Sequence, residues 1–464
     1  MRDGDMDRLE LTGFSRIHLI GIGGIGVSAV ARLLLARGFK VSGSDVRESS
    51  ITRAIRGEGA IVNISHSADN VKDADLVVRS TAIPDQNPEL RAALASGIKV
   101  VHRSEVLDAL MAGRRSVGVT GTNGKGSVSA MIAYLLDCAG FSPSFAIGAI
   151  LLNFKTNARE GKGRHIVCEL DESDGSFANT NPDVLVINNL EADHLNYYKD
   201  LKGLLDAFAA YLASGRPQGG LYVNGDDPNI RTVLERTGVR AVTFGKGAGC
   251  SFRVTDLRLE GMRSSFGLSG PEGDLGWFDL SLPGEYNIMN AAAALAVVLS
   301  EGVAPDRARE ALPGFSGLLN RFTLRKVKDF FVVKDFISHP TGIRSVLAGA
   351  RGVGKGRLIA VFKPYRFTMI HYLHNEYREA FKGADLTVLT EMYPAGEVPI
   401  LGVDTEWLAE RIRSGGSVVE YVPEMEAFPE ALHRVVQPGD IVVFFGGDDL
   451  FEVADRFAAE MEGA

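Results

Sequence analysis

Residues 118–129, GVTGTNGKGSVS, set two small hydroxyl residues and one lysine among glycines after an apolar lead-in. A Walker A loop places its first glycine five residues before the second and a hydroxyl directly after the lysine. Here Val119 stands at the first of those positions, and Gly126 separates Lys125 from Ser127. A phosphate cradle needs less than the full motif: backbone N–H groups that curl round an anion, a lysine that reaches it, and a hydroxyl near the metal. Gly121, Gly124 and Gly126 supply the freedom, Asn123 lies between them, Lys125 supplies the charge, and Thr122 or Ser127 the hydroxyl. The stretch predicts a strand, a nucleotide loop and a helix, and with them an α/β fold.

Downstream, HIVCEL (165–170) and DVLVINN (183–189) are continuous apolar runs, the pattern of parallel strands covered on both faces. Each ends in polar residues, ELDESDGSF (169–177) and NNLEADHLNYY (188–198), where open α/β sheets bind ligands. Glu169 and His194 are therefore candidates to hold Mg²⁺, directly or through water. The alternating segment 250–282 predicts an antiparallel patch, and the run 287–302 a helix.

Upstream, residues 16–45 read as strand, glycine turn, helix and strand. Gly21, Gly23 and Gly26 form G-x-G-x-x-G, with Gly24 inside it, and Ser44 and Asp45 end the next strand. Such a turn lets a diphosphate approach a helix N-terminus while the acid takes a ribose hydroxyl. Taken alone it points equally to an NAD(P)-dependent oxidoreductase. Similar alternation through 73–80, 88–97 and 98–104 ends a first domain near residue 110. A third βα block has strands near FFVVKDF, RLIAVFKP, LTVLTEM and DIVVFFGG. At its border Arg321 is a candidate phosphate clamp, Asp335 and His339 follow a strand, and Asn287 and Asn290 open the preceding helix.

The 464 residues suggest about three domains at roughly 150 residues each. A net charge of −8 excludes general attraction to nucleic acid or an anionic membrane. The start MRDGDMDRLE lacks the apolar core of a signal peptide, and no apolar run approaches a membrane span, so a cytoplasmic protein is expected. Cys138, Cys168 and Cys250 fit neither a disulfide framework nor a metal pair and read as small buried hydrophobes.

Taken together, HLIGIGGIGVS, VSGSD, TAIPDQNPEL, GTNGKGS, ELDESDGSF, NLEADH, YNIMNAAAAL, LLNRF and DFISHP resemble the Mur ligases in order along nearly the whole chain. The resemblance implies an N-terminal Rossmann-like domain binding a UDP-sugar (1–110), a central P-loop ATPase with a mostly parallel sheet (111–320), and a C-terminal Rossmann-like domain bringing the amino acid (321–464). It implies ATP-dependent amide formation, joining an amino acid, L-alanine in the branch it resembles most, to UDP-N-acetylmuramate through an acyl phosphate in peptidoglycan precursor synthesis. ATP and Mg²⁺ are the implied cofactors, and a monomer or homodimer the implied state.

By the same resemblance, Gly21, Gly23, Gly24 and Gly26 cradle the diphosphate with Ser44 and Asp45 nearby, and residues 121–127 hold ATP. Lys125 stabilises the transferring group, and Ser127, Glu169 and His194 surround Mg²⁺. Asn287 and Asn290 meet the adenine, Arg321 clamps phosphates, Asp335 meets the ribose, and His339 serves the amino-acid side. GTNGKGS departs from the GTHGKT usual in that branch and is similar to folylpolyglutamate synthase, whose hydroxyl also lies two positions beyond the lysine. DFISHPTGI departs from a DYGHHPTEI-like run at Ile337, Ser338 and Gly342, which leaves open another amine acceptor, as in ligases that attach a whole peptide, or a noncatalytic UDP-sugar-binding homologue.

Overall fold

The computed structural model describes residues 8–463; the acidic opening MRDGDMD lies outside the described residues. Three sheets organise the chain. The first has five parallel strands in the spatial order Ile61–Ile64, Lys40–Asp45, Arg16–Ile20, Leu76–Arg79 and Lys99–His102. The glycine turn sits where Arg16–Ile20 runs into the helix Ile25–Ala36. The motif NPEL becomes a helix start: Asn87 accepts from Glu89 N (2.9 Å) and Leu90 N (3.2 Å), and Pro88 occupies the first helical position, where no N–H is needed.

The second sheet has ten strands. At its centre Arg115–Thr120 lies between Val184–Ile187 and His165–Glu169, all parallel. The apolar runs thus fold as buried strands, and the loop at 121–124 and both acidic segments emerge from their carboxyl ends. The alternating region forms Phe252–Glu260, Arg263–Gly270 and Gly273–Leu280, the last two antiparallel. The hairpin Ser144–Leu151 and Thr156–Arg159 has no clear alternation in sequence. The third sheet runs Thr323–Val327, Phe330–Asp335, Ile441–Phe445, Leu358–Phe362, Leu386–Leu389 and Val419–Tyr421, parallel except at the first pair. This is an α/β protein with mostly parallel sheets, as expected.

By contacts the chain divides into two compact units. Of the described residues, the first comprises those up to Glu191, Gly203–Arg253 and Ala292–Ala311; the second comprises Ala192–Lys202, Val254–Ala291 and those from Leu312 on. The cysteine expectation holds for Cys168, which is buried, but not for Cys250, which is half-buried, nor for Cys138, which is exposed because the helix Lys125–Cys138 ends there. Among the described residues no helix is long and apolar enough to cross a membrane.

Candidate functional site

In the first unit the loop 121–124 is held open by the strand end beside it. Gly121 has φ +122°, and a Cβ there would stand 2.7 Å from Asn189 O and 3.1 Å from Asn188 N, so only glycine fits. Asn123 N donates to Asn189 Oδ1 (2.7 Å), and the amides of Asn188 and Asn189 both donate to Asn123 O (2.8 Å each). The Thr122 hydroxyl is engaged with Glu191, accepting from its N–H at 2.8 Å. Gly124, at φ +83°, turns the chain into the helix. Lys125 follows, and its Nζ donates to Gly121 O (2.8 Å), Thr122 O (3.2 Å) and Glu172 Oε1 (2.9 Å). The ammonium is thus tethered across its own loop.

Glu172 is 1% exposed, and burial, with Asp171 adding to it, pushes its carboxyl up to about 8 against the pull of Lys125. Asp171 stays ionised down to about 2: burial opposes this, but Arg103 and Lys125 outweigh it. Burial works against Lys125 too, but Glu172, Asp171 and Glu169 hold its ammonium above the ordinary value. Because the ionised Asp171 already balances that ammonium, burial decides for Glu172.

Glu169 ends the His165–Glu169 strand, and its Oε2 accepts from Gly148 N at 2.7 Å. Ser127 lies in the first turn of the lysine helix. A carboxylate and a hydroxyl are hard oxygen donors of the kind Mg²⁺ takes, and Mg²⁺ fills the rest of its shell with water and phosphate oxygens. Among the described residues no group of three or more His, Cys, Asp or Glu is placed to hold a metal.

The glycine turn also belongs to this unit. Gly21 N and Ile22 N donate to Ser44 O (2.8 and 3.0 Å), Gly24 N donates to Gly21 O (3.0 Å), and Gly23 N donates to Asp45 Oδ2 (2.9 Å). Gly21 is at φ +74°. The Ser44 hydroxyl points inward to Glu89 Oε2 (2.5 Å), with His66 Nδ1 2.9 Å away, and Asn70 Nδ2 donates to Glu89 Oε1 (2.5 Å). Burial of Glu89 favours its neutral form, but the neighbouring His18, with Nε2 at 3.6 Å, and hydrogen bonds from Ser44 and Asn70 hold it at about 2. A Cβ at Gly26 would stand 3.2 Å from Arg103 Nη1. Arg103 Nη2 donates to Asp171 Oδ2 at 2.6 Å.

In the second unit Asn287 is the third residue of the helix Glu285–Ser300, its amide donating to Pro283 O at 2.8 Å, and Asn290 is buried one turn on. Asp335 is buried at the end of its strand, accepting from Phe322 N (2.9 Å) and Ile337 N (3.0 Å), with Arg321 Nη1 at 3.7 Å. Burial raises its carboxyl against those pulls. The Arg321 guanidinium lies 5.6 Å from the Phe336 ring centre.

His339 caps the helix Pro340–Arg351 through Nδ1, which accepts from Thr341 N (3.4 Å), while Nε2 donates to Ala192 O (3.2 Å). It thereby ties down the segment carrying Asp193 and His194. The His194 backbone is left-handed at φ +53°, and its Nδ1 lies 3.4 Å from Arg366 Nη1. A shallow cleft is lined here by Asp193, His194, Asn196, Arg366, Met369 and Tyr372 among others. The departures at 337 and 342 are a single feature: a Cβ at Gly342 would stand 2.2 Å from Ile337 Cγ1 and 2.7 Å from Cδ1. The Ile337 side chain fills the space a residue at 342 would use.

Sequence reading did not single out Glu172, Asn188, Asn189, Arg103 or Arg366. The first three lie in quoted strand-end segments, where polarity was the available signal; Arg103 and Arg366 carry no local signal.

The chain matches three family models in order: "Mur ligase family, catalytic domain" over residues 16–115, "Mur ligase middle domain" over 119–298, and "Mur ligase, glutamate ligase domain" over 320–447. It is 38% identical over 450 residues to the UDP-N-acetylmuramate–L-alanine ligase of Geotalea uraniireducens, covering 97% of this chain and 98% of that one. The same-named enzyme of Geobacter sulfurreducens is 39% identical over 453 residues, with 97% and 98% covered. Among solved structures, the UDP-N-acetylmuramate-alanine ligase of Thermotoga maritima superposes with a TM-score of 0.81 at 27% identity, covering 97% of this chain and 99% of that one. The murein peptide ligase of Psychrobacter arcticus, at TM-score 0.73 and 21% identity over 97% and 99%, shares the fold. With all three domain models matched in order and relatives similar from end to end, the chain belongs to the Mur ligase family.

Proposed function

We propose that this protein is an ATP-dependent carboxylate–amine ligase that joins an amino acid, L-alanine in the first instance, to the lactyl carboxylate of UDP-N-acetylmuramate. The observation that carries this reading is the Lys125 ammonium, tethered by two carbonyls of a glycine loop at the carboxyl end of a parallel sheet. A carboxylate is a poor electrophile. Its oxygen attacks the γ-phosphorus of ATP, the bond to the β-phosphate oxygen breaks, and ADP leaves. The incoming amine then attacks the acyl phosphate carbon, the C–O bond to phosphate breaks, and inorganic phosphate leaves as the nitrogen gives up its proton.

Such a transfer depends on positioning and charge neutralisation. Lys125 exchanges the loop carbonyls for phosphate oxygens and offsets charge on the transferring group. Thr122 N and Asn123 N are tied to Asn189, so the N–H groups of residues 124–127, at the start of the helix, are the ones assigned to the phosphates. Mg²⁺, when bound, would neutralise phosphate charge, held by Ser127 and Glu169. In the other unit we assign Asn287, Asn290, Arg321 and Asp335 to the nucleotide, and the cleft of Asp193, His194 and Arg366 to the amine, with His339 positioning its wall. The turn at Gly21, Gly23, Gly24 and Gly26, with Asp45, is assigned to the UDP diphosphate, and Ser44 acts on that turn through its carbonyl.

The test is phosphate release by purified protein supplied with ATP, Mg²⁺, UDP-N-acetylmuramate and a panel of amino acids and peptides. Release with L-alanine is expected. Release with another amine alone replaces the acceptor and keeps the chemistry; no release with any amine overturns the reading.

A further inference from the structure

The third glycine of the fingerprint meets a neighbour that helix packing does not account for. Besides Nη1 at 3.2 Å, the Cζ of Arg103 would lie 3.5 Å and its Nε 3.7 Å from a Cβ at Gly26, so the guanidinium rests against bare backbone in the first turn of Ile25–Ala36. Any other residue at 26 would push it away. That turn is the positive end of the helix dipole, a poor place for a second positive charge unless an anion joins them. Within the unit, the anion that Arg103 holds is the Asp171 carboxylate, across 68 residues of sequence, and the Arg103 side chain is only 15% exposed. Asp171 precedes Glu172, the partner of Lys125.

We propose that Arg103 is a third element of the UDP-sugar diphosphate site, beside the glycine turn and the helix N-terminus, and that Asp171 occupies it until the diphosphate arrives. This rests on the functional reading above. The guanidinium fork matches two phosphate oxygens, and the dipole and Gly26 place it where the fingerprint brings a diphosphate. Asp171 is then a competitor, and that gives the proposal an unusual sign: removing the cation weakens binding, whereas neutralising its protein partner strengthens it. A merely structural ion pair would be harmed by either change.

The experiment is calorimetric binding of UDP-N-acetylmuramate, UDP and UMP without ATP, with thermal melting to report folding. Arg103→Met is expected to weaken UDP and the UDP-sugar roughly 10- to 100-fold, the range of a lost charge-assisted pair, and to leave UMP within about 2-fold. Arg103→Lys keeps the charge without the fork and falls in between. Asp171→Asn tightens UDP and the UDP-sugar by about 3- to 10-fold. Weakening by Asp171→Asn, a loss confined to the UDP-sugar with UDP unchanged, or unchanged binding in folded Arg103→Lys and Arg103→Met overturns the proposal. A wild-type protein that binds no UDP-sugar overturns the functional reading instead.

Discussion

Replacing Glu172 by Gln tests the electrostatics around Lys125 through stability, apart from turnover. Folded Glu172 holds its proton up to about 8, whereas the ordinary carboxyl loses it near 4.5. Between those values the unfolded chain binds fewer protons at this position than the folded one, so Glu172 costs stability as pH rises and the loss levels off above about 8. The slope is about 1.4 kcal/mol per pH unit, on the order of 3 kcal/mol by pH 7. Gln cannot ionise, and its carbonyl still accepts from Lys125; we set the lost part of that hydrogen bond at about 1 kcal/mol. The variant is therefore slightly less stable than wild type at pH 4.5 and clearly more stable at pH 8. Hydrogen exchange of the Arg115–Thr120 amides, buried at the centre of the first unit, reads the opening free energy locally. After correction for intrinsic exchange, the ratio of variant to wild-type protection should rise about tenfold per pH unit, roughly 300-fold between pH 4.5 and 7. A ratio flat across that range, or a variant less stable at every pH, would show a plain ion pair and refute the burial argument.

Two further expectations concern neighbouring groups. Gly148→Ala would bring a Cβ within 2.9 and 3.0 Å of the Glu169 carboxylate oxygens, so the Mg²⁺ concentration for half-maximal turnover should rise about tenfold or more while UDP-sugar binding is kept; an unchanged Mg²⁺ titration contradicts the role given to Glu169. Glu89, held at about 2, contributes stability that is present above about 4.5 and lost as pH falls through 2; Glu89→Gln should cost about 3 kcal/mol in chemical unfolding at pH 7 and nothing near pH 2, and equal stability at both pH values contradicts the buried carboxylate.

The fold was legible where a residue's environment is set by its own segment. Continuous apolar runs such as HIVCE and VLVI declared buried parallel strands, and the glycines of both loops declared turns, because φ > 0 and close backbone approach leave few alternatives. The hairpin at 144–159 stayed hidden because one strand is nearly all apolar and the other mostly polar, so neither alternates. The positions of Lys125 and Glu169, at the end of a glycine loop and of an apolar strand, were legible because each closes a locally patterned segment. Ser44 was visible as a residue but not in its direction: its hydroxyl turns to Glu89, 45 positions away, and nothing local encodes that. Arg103 and Glu172 were invisible as partners for the same reason, since their roles come from contacts that only the folded sheets create.

The interlock of Ile337 with Gly342 couples what can be substituted at the two positions. A larger residue introduced alone at 342 collides with a side chain already in place, so 337 must be trimmed first, through an underpacked intermediate. The two positions exchange safely in one order only, so grafts onto this segment will succeed or fail according to the sequence of the exchanges as well as their identity.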